Sequence, residues 1–415
     1  MLSPISVSLN KVQTPLFAQY QTNPVALKTL KADTFECSQK TQSVANISFT
    51  SVDNTVVGQA IRDLGDVPCP YCGTRVINGK EISHLNKDTL GGTSKDAVIN
   101  LAPFEDRMHP VEKQVFGIIK DLSKKEPQKN IRELLETVRP EHLENVKNQE
   151  FKVLDKLSKY GNKHIKDETE SRKLNNLVDE ATLIIEEQDE NYIFRRRKFI
   201  EKLDGITKNM QNQETAKNLK QIAEELPNAQ DNVSTFIVKY TQKDPKSKLD
   251  KTPYQLGIAL VEPSVGSLEH IVPRHPQDKT VKGGENKYSN YIYASREWNT
   301  KRKNMPLDQW VTKNPQIKDN MQKYIDVVID KINKGEAMKR CRVYPILVAE
   351  TLEKESNGLI KLDTSKLKLS KAQIKAEKAR IEQEEKAREE HLNTKAQKAS
   401  QKNNGTQTKH FSFVA

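Results

Sequence analysis

The chain has 415 residues, and its 68 lysines and arginines exceed its 56 aspartates and glutamates, which gives a formal net charge of +12 and an isoelectric point of about 9.2. Hydrophobic residues make up 35% and aromatic residues 6%, whereas an ordinary globular chain is roughly 45–50% apolar. No stretch approaches the roughly 18 apolar residues that a membrane-spanning helix needs, and no apolar run near the start is typical of a secretory signal. We therefore expect no membrane contact, and we expect part of the chain to lie outside any packed core.

Four cysteines are too few for a scaffold held by disulfides, and only two of them are close together, in the run Cys69-Pro-Tyr-Cys72-Gly. This usage predicts a reducing, cytoplasmic location, with the thiols buried or bound to a metal. The basic excess favours a polyanionic partner.

Composition and periodicity divide the chain into six segments. In chain order we expect a disordered segment at 1–58, the Cys69-Cys72 turn with short strands at 59–103, a long helical region at 104–240, short extended stretches at 241–312, helical packing at 313–369, and a charged helix with a loose tail at 370–415. Pro127 and Pro140 are expected to separate helices of the long region. Residues 370–400 are strong helix formers with hardly any apolar stripe, which predicts one exposed helix.

The stretch 268–310 holds the side chains best suited to chemistry. In order, it contains Glu269-His270 at the end of an apolar run, Ile271 and Pro273, a Gly283-Gly284 turn, Asn290 before a second apolar run, and Asn299 nine residues later. Four basic residues flank Asn299, namely Arg296, Lys301, Arg302 and Lys303.

This ordered set resembles the HNH endonuclease family. That family has an acid-His pair, Ile-x-Pro, a Gly-Gly turn, an Asn before a short strand, and a final His or Asn that opens a basic helix. The resemblance implies an α+β protein in which a small ββα-metal unit at 241–312 is embedded in a mainly helical chain with disordered termini. The helical region at 104–240 would then be an insertion.

The resemblance implies metal-dependent hydrolysis of phosphodiester bonds in DNA. His270 is the expected general base, because an imidazole titrates near neutral pH. Glu269 and Asn299 would hold one divalent ion, Mg²⁺ or Mn²⁺, through oxygen atoms. Asn290 would tie the two strands together and orient His270. The basic residues Arg296, Lys301, Arg302 and Lys303 are expected to contact phosphates without reading sequence.

Many members of the family also hold a structural zinc ion between two Cys-x-x-Cys turns. Cys69 and Cys72 match the first turn, but Ser295 and Trp298 stand where the second pair of thiols would be. Two thiols alone do not make a structural zinc site. Either His84, Cys341 or Cys37 completes it, or the turn is metal-free and packs against Trp298, and we favour the metal-free turn.

A second stretch shows a similar order of residues, with His84, Gly91-Gly92, Asn100 and His109. Ser83 stands there in place of the acid, and Pro110 and Glu112 stand in place of the basic helix, so we interpret this stretch as structural.

Two other functions compete with the nuclease. One is a non-catalytic protein that binds nucleic acid or acts as a scaffold while keeping the HNH shape; the missing second pair of thiols and the large helical share favour it. The other is a secreted toxin or effector nuclease that uses its polar first 58 residues for delivery.

Overall fold

The computed structural model describes residues 56–186, 196–242, 251–276, 280 and 282–407. The segment expected to be disordered, 1–58, lies outside the described residues except for Val56–Gly58, which begin the first helix. The last eight residues of the expected tail also lie outside.

The described residues are mainly helical and contain one two-stranded antiparallel sheet, which confirms the α+β class. The helices are α1 (Val56–Arg62), α2 (Lys87–Leu90), α3 (Ser94–Leu101), α4 (Pro110–Lys125), α5 (Ile131–His164), α6 (Glu168–Glu186), α7 (Arg196–Thr207), α8 (Gln213–Glu224), α9 (Val233–Tyr240), α10 (Pro253–Val261), α11 (Arg296–Arg302), α12 (Leu307–Lys313), α13 (Ile317–Asn333), α14 (Tyr344–Glu355) and α15 (Lys371–Gln407). The strands are β1 (Gly266–His270) and β2 (Tyr291–Ser295). None of the helices in these described ranges is long and apolar enough to cross a bilayer.

The region between the Cys69-Cys72 turn and α4 differs from the expectation of short strands. It forms α2 and α3, because Asn86 and Thr93 each accept backbone N–H groups at a helix start. Extended pairing is limited there to isolated bridges, Pro68 with Arg75 and Ile77 with Val265.

The long region is helical from α4 to α9, as its apolar spacing predicts. Asn130 begins α5 with a capping box: its side chain accepts the Glu133 N–H, and the Glu133 carboxylate accepts the Asn130 N–H. Pro140, expected to open a new helix, instead lies inside α5. The 34-residue helix therefore continues past a residue that supplies no backbone N–H.

One apolar core contains the candidate site. It packs α1, the Cys69-Cys72 turn, both strands and α12–α14 together, whereas α5–α9 pack around a second apolar cluster. Tyrosine hydroxyls satisfy the backbone of β2: Tyr344 donates to Tyr291 O at 2.9 Å, and Tyr293 N–H donates to the Tyr324 hydroxyl at 3.2 Å. These bonds pair backbone groups that a two-stranded sheet would leave open at its edge.

Helix α15 confirms the prediction of a single helix in the charged segment, and it extends past residue 400 to Gln407. It is less exposed than its composition suggests. Ile381 is buried against the core, and Glu377 and Glu385 accept the backbone N–H groups of Arg342 and Tyr288.

Candidate active site

A strand, a loop, a second strand and a helix gather the residues that the motif contains. His270 ends β1 and lies opposite Tyr291, the first residue of β2, in the antiparallel register. Helix α11 begins directly after β2, and its first N–H, from Arg296, donates to Val265 O at 2.9 Å. This bond holds the helix start against the residue that precedes β1.

The loop between the strands is closed by Asn290. Its Oδ1 accepts the Val272 N–H at 2.7 Å, and its Nδ2 donates to Val272 O at 3.3 Å and to Glu285 O at 2.9 Å. Because Asn290 is buried, these bonds satisfy an amide that would otherwise be unpaired in the interior. Asn290 therefore holds the chain that follows His270 against the start of β2.

The Gly283-Gly284 turn passes close to this backbone. A Cβ at Gly284 would lie 2.0 Å from Val272 O and 2.4 Å from Asn290 Nδ2, and a Cβ at Gly283 would lie 2.1 Å from Arg274 O. The glycine pair therefore permits an approach that any side chain would block.

His270 is half-buried and is oriented by a residue that the motif did not single out. Its Nε2 lies 3.0 Å from Asn286 Oδ1, and the Tyr291 hydroxyl donates to the same oxygen at 2.7 Å. An amide oxygen accepts, so this contact selects the tautomer with hydrogen on Nε2 and the lone pair on Nδ1.

Glu269 is buried in an ion pair. Its Oε1 lies 2.7 Å from Arg302 Nη1 and accepts the Tyr71 hydroxyl at 3.2 Å. Burial raises the pKa of Glu269 to about 7, although Arg302 and Tyr71 oppose that shift. Tyr71 belongs to the Cys69-Cys72 turn, so this contact joins the turn to β1.

Arg302 is one of the most deeply buried side chains of the described residues, with 1% of its surface exposed. Besides Glu269, its guanidinium donates to the Tyr71 hydroxyl, His270 O, Ile271 O and Met305 O. Such burial is at odds with the phosphate contact expected for Arg302. We infer instead that Arg302 positions β1 and the residues that follow it.

Asn299 also contacts β1. Its Nδ2 donates to Ser267 Oγ and to Leu268 O, both at 3.0 Å. With the amide nitrogen used in this way, Oδ1 is the only atom of the Asn299 side chain suited to a metal ion.

Both predicted metal ligands lie on the α11 side of the hairpin. Ser267 and Glu269 share one face of β1 because side chains alternate along a strand, and Asn299 and Arg302 of α11 contact these two residues. Carboxylate and amide oxygens suit Mg²⁺ or Mn²⁺. The fit is partial, since an ion at Glu269 would share the carboxylate with the Arg302 guanidinium.

The other basic residues expected at phosphates differ in environment. Arg296 pairs with Glu262, and Lys301 pairs with Glu297 at 2.6 Å and with Asp231 at 3.2 Å. Lys303 is exposed at the end of α11, with a φ of 54°. Lys303 therefore has the most open position of the four for contact with a polyanion.

The Cys69-Cys72 turn lies against the end of β2. The Ser295 N–H donates to Cys69 Sγ at 3.4 Å, and the Ser295 hydroxyl oxygen lies 3.5 Å from the same sulfur. Burial would raise the pKa of Cys69, but hydrogen bonds from Cys72 and Ser295 lower it to about 6. The hydrogen bond with Cys69, together with burial, raises the pKa of Cys72.

His109 approaches this turn from the start of α4. Its Nδ1 is hydrogen-bonded to Glu297 Oε2, and the Cys72 side chain interacts with the same ring. Burial opposes the charged form of His109, yet Cys72 and Glu297 raise its pKa to about 9. The ligand atoms of His109, Glu112 and Glu297 all lie within 4.8 Å of one another. Burial raises the pKa of Glu112 to about 7.

The partners suggested for the two thiols lie elsewhere. His84 is exposed and stacks on Phe104, and Cys341 is buried in the apolar core, while Cys37 lies outside the described residues. Trp298 packs against Trp310, with ring centroids 5.8 Å apart. Sequence reasoning did not predict the contact between His109 and Glu297, because the two residues are 188 positions apart. The sequence signal for His109 is the His109-Pro110 pair, which is typical of a helix start.

Comparison of the chain with protein-family models, with curated proteins and with solved structures finds no match.

Proposed function

We propose that the protein is a metal-dependent endonuclease of the HNH type that hydrolyses phosphodiester bonds in DNA. The observation that carries this proposal is that Glu269, His270, Asn290 and Asn299 occur in the expected order along one strand-loop-strand-helix unit, from β1 to α11. The pairing of β1 with β2, the Asn290 bonds across the loop and the Asn299 contact with β1 hold this arrangement together.

His270 is the general base of the proposed reaction. Asn286 accepts hydrogen from Nε2, and the Nδ1 lone pair of that tautomer takes a proton from the attacking water. The oxygen of that water bonds to phosphorus while the bond from phosphorus to the leaving oxygen breaks. Asn290 acts on His270 through the loop backbone and does not contact the phosphate.

Glu269 and Asn299 are the proposed ligands of one Mg²⁺ or Mn²⁺ ion. A bound divalent ion supplies positive charge to the phosphate oxygens and to the leaving oxygen. Arg302 positions Glu269, and it binds the carbonyls of His270 and Ile271 as well. Lys303 and Arg296 are the proposed phosphate contacts, since both side chains reach the surface near α11.

The test is nicking of a supercoiled plasmid with Mg²⁺, with Mn²⁺ and with EDTA. We expect cleavage with either metal, none with EDTA, and loss of cleavage in His270→Ala with DNA binding retained. His391→Ala is the matched control, because His391 is exposed on α15. Cleavage by His270→Ala at the wild-type rate would contradict the proposed site.

The Glu269–Arg302 pair favours one alternative, a non-catalytic protein that binds nucleic acid or acts as a scaffold. A carboxylate neutralised by a buried guanidinium is a weaker metal ligand than an open one. That alternative predicts DNA binding that weakens steeply with salt, together with no nicking under any metal condition.

A further inference from the structure

Helix α15 packs against the core that holds the two strands, although its sequence has hardly any apolar residues. Ile381 is 2% exposed and belongs to that core, and Ile374 packs against the same cluster. Arg380 donates to Arg340 O at 2.7 Å. These contacts fix one face of α15 against the rest of the protein.

Two glutamates on this face reach backbone N–H groups outside the helix. Glu377 Oε1 accepts the Arg342 N–H at 2.5 Å, and Glu385 Oε1 accepts the Tyr288 N–H at 3.0 Å. Glu377, Ile381 and Glu385 follow one another at intervals of four residues, the spacing that places side chains on one face of a helix. Helix α15 therefore docks through carboxylates as well as through Ile381.

The bond to Tyr288 reaches the loop between the two strands. Tyr288 is 1% exposed, and a backbone N–H in such a buried position needs a partner within the protein. Glu385 supplies that partner from a position 97 residues further along the chain. A contact with α15 thus holds the loop from outside the hairpin.

Segment 285–290 carries the two asparagines that organise this loop. Asn286 accepts hydrogen from His270 Nε2, and Asn290 closes the loop that follows His270. Tyr288 lies midway between these asparagines, so a bond that fixes its backbone restrains the segment on both sides. Such restraint matters for a catalytic group, because a displacement of about 1 Å can cost about 100-fold in rate.

The surroundings of Glu385 supply a second link to the same segment. Burial raises the pKa of Glu385, whereas the Tyr288 N–H and the positive charges of Lys287 and Arg388 oppose that shift, and Glu285 adds to it. Segment 285–290 therefore meets the carboxylate through the charge of Lys287 as well as through the Tyr288 N–H.

We propose that Glu385 is a positioning residue of the candidate active site, which it serves by holding segment 285–290 in place. The inference rests on the proposed function, since His270 is the group that the segment orients. Glu385 acts through the backbone of Tyr288 and takes no part in the reaction itself. Helix α15 is thereby part of the nuclease unit, although it lies outside the residues 241–312 that the motif assigns to that unit.

The test compares three variants of the full chain in the plasmid-nicking assay with Mg²⁺. Glu385→Ala removes the acceptor of the Tyr288 N–H and should lower kcat by about 10–100-fold with KM unchanged. Glu385→Gln keeps an oxygen atom that accepts an N–H group and should recover most of the lost rate. Glu377→Ala is the matched control and should keep the wild-type kcat, because it removes the same kind of bond from the same helix but leaves segment 285–290 untouched.

Three results of this assay would overturn the proposal. The first is a wild-type kcat in Glu385→Ala. The second is an equal loss of kcat in Glu385→Ala and Glu377→Ala, which would show that only the docking of α15 matters. The third is a Glu385→Gln variant as slow as Glu385→Ala, which would show that the hydrogen bond to Tyr288 is not what positions the loop.

A second measurement does not depend on cleavage. Amide hydrogen exchange, followed by mass spectrometry of peptides that cover segment 285–290, should be faster in Glu385→Ala than in the wild type and unchanged in Glu377→Ala. Unchanged exchange in Glu385→Ala would overturn the proposal even if the wild type is an active nuclease. A wild type that does not nick DNA would refute the proposed function, and faster exchange in Glu385→Ala would still show that Glu385 holds the segment.

Discussion

Replacement of Arg302 tests whether the buried pair with Glu269 holds the hairpin to α11. Arg302→Met keeps the approximate length of the side chain but removes the guanidinium, so the Glu269 carboxylate remains buried without a counter-charge. The carbonyl groups of His270, Ile271 and Met305 lose their donor as well. Removing one partner of a buried ion pair destabilises a protein by about 3–5 kcal/mol, and Arg302 is 1% exposed, so we expect the full effect.

The measurement is urea-induced unfolding at neutral pH, followed by circular dichroism, for four variants, one of which is the single variant Glu269→Gln. Arg302→Met should lower the free energy of unfolding by about 3–5 kcal/mol. Arg302→Lys should lower it less, because lysine keeps the charge but not the planar set of donors. The double variant Glu269→Gln/Arg302→Met should recover part of the loss, since the stranded carboxylate is gone.

Two results would refute this reasoning. The first is an Arg302→Met variant within about 0.5 kcal/mol of the wild type, as is usual for a surface substitution. The second is a double variant as unstable as the sum of the two single variants, which would show that Glu269 and Arg302 do not interact.

Three further predictions concern Asn286, Gly284 and His109. Asn286→Ala should lower kcat for plasmid nicking by about 10-fold or more and leave DNA affinity unchanged, because His270 loses the acceptor for its Nε2 hydrogen. An unchanged kcat would contradict the role of Asn286. Gly284→Ala should destabilise the protein by about 1–3 kcal/mol in urea unfolding, since its Cβ would lie 2.0 Å from Val272 O, whereas Gly117→Ala, with open space at its Cβ, should not. The pKa of His109 is about 9 against an ordinary 6.5. Its stabilising contribution of about 1–3 kcal/mol is therefore complete below pH 6.5 and declines as the pH rises through 9. A His109→Gln variant whose stability has the same pH dependence as that of the wild type would contradict this.

The local features of the site could be predicted from the sequence. The resemblance carried by the acid-His pair, the glycine pair and the two asparagines implies a hairpin followed by a helix, and β1, β2 and α11 have that order. The helical region was readable as well, because its apolar residues recur at helical spacing.

Arg302 shows why the chemistry was less predictable than the fold. Its position three residues after Asn299 places both side chains on one face of α11, a signal that was present in the sequence. The sequence does not show which buried partners Arg302 has, since Tyr71 lies 231 positions away and no local pattern indicates that Tyr71 and Arg302 meet. A basic residue was therefore expected at the surface, where most arginines lie.

The contact between His109 and Glu297 could not be predicted for the same reason. The pairing of His109 with Glu297 spans 188 positions, so no local pattern in the sequence indicates that these two side chains meet. Pro140 shows the opposite limit of local signals. A proline predicts a helix boundary, but α5 continues through Pro140 and has buried apolar residues both before it, such as Leu134, and after it, such as Val146.

The rate of plasmid nicking by His270→Ala relative to the wild type, in the same Mg²⁺ buffer and at equal DNA occupancy, tests the nuclease proposal most directly. General base catalysis contributes about 10²–10⁴-fold, so we expect the variant to be at least about 100-fold slower while His391→Ala is unaffected. Equal rates for His270→Ala and the wild type, or no nicking by the wild type with either Mg²⁺ or Mn²⁺, would contradict it.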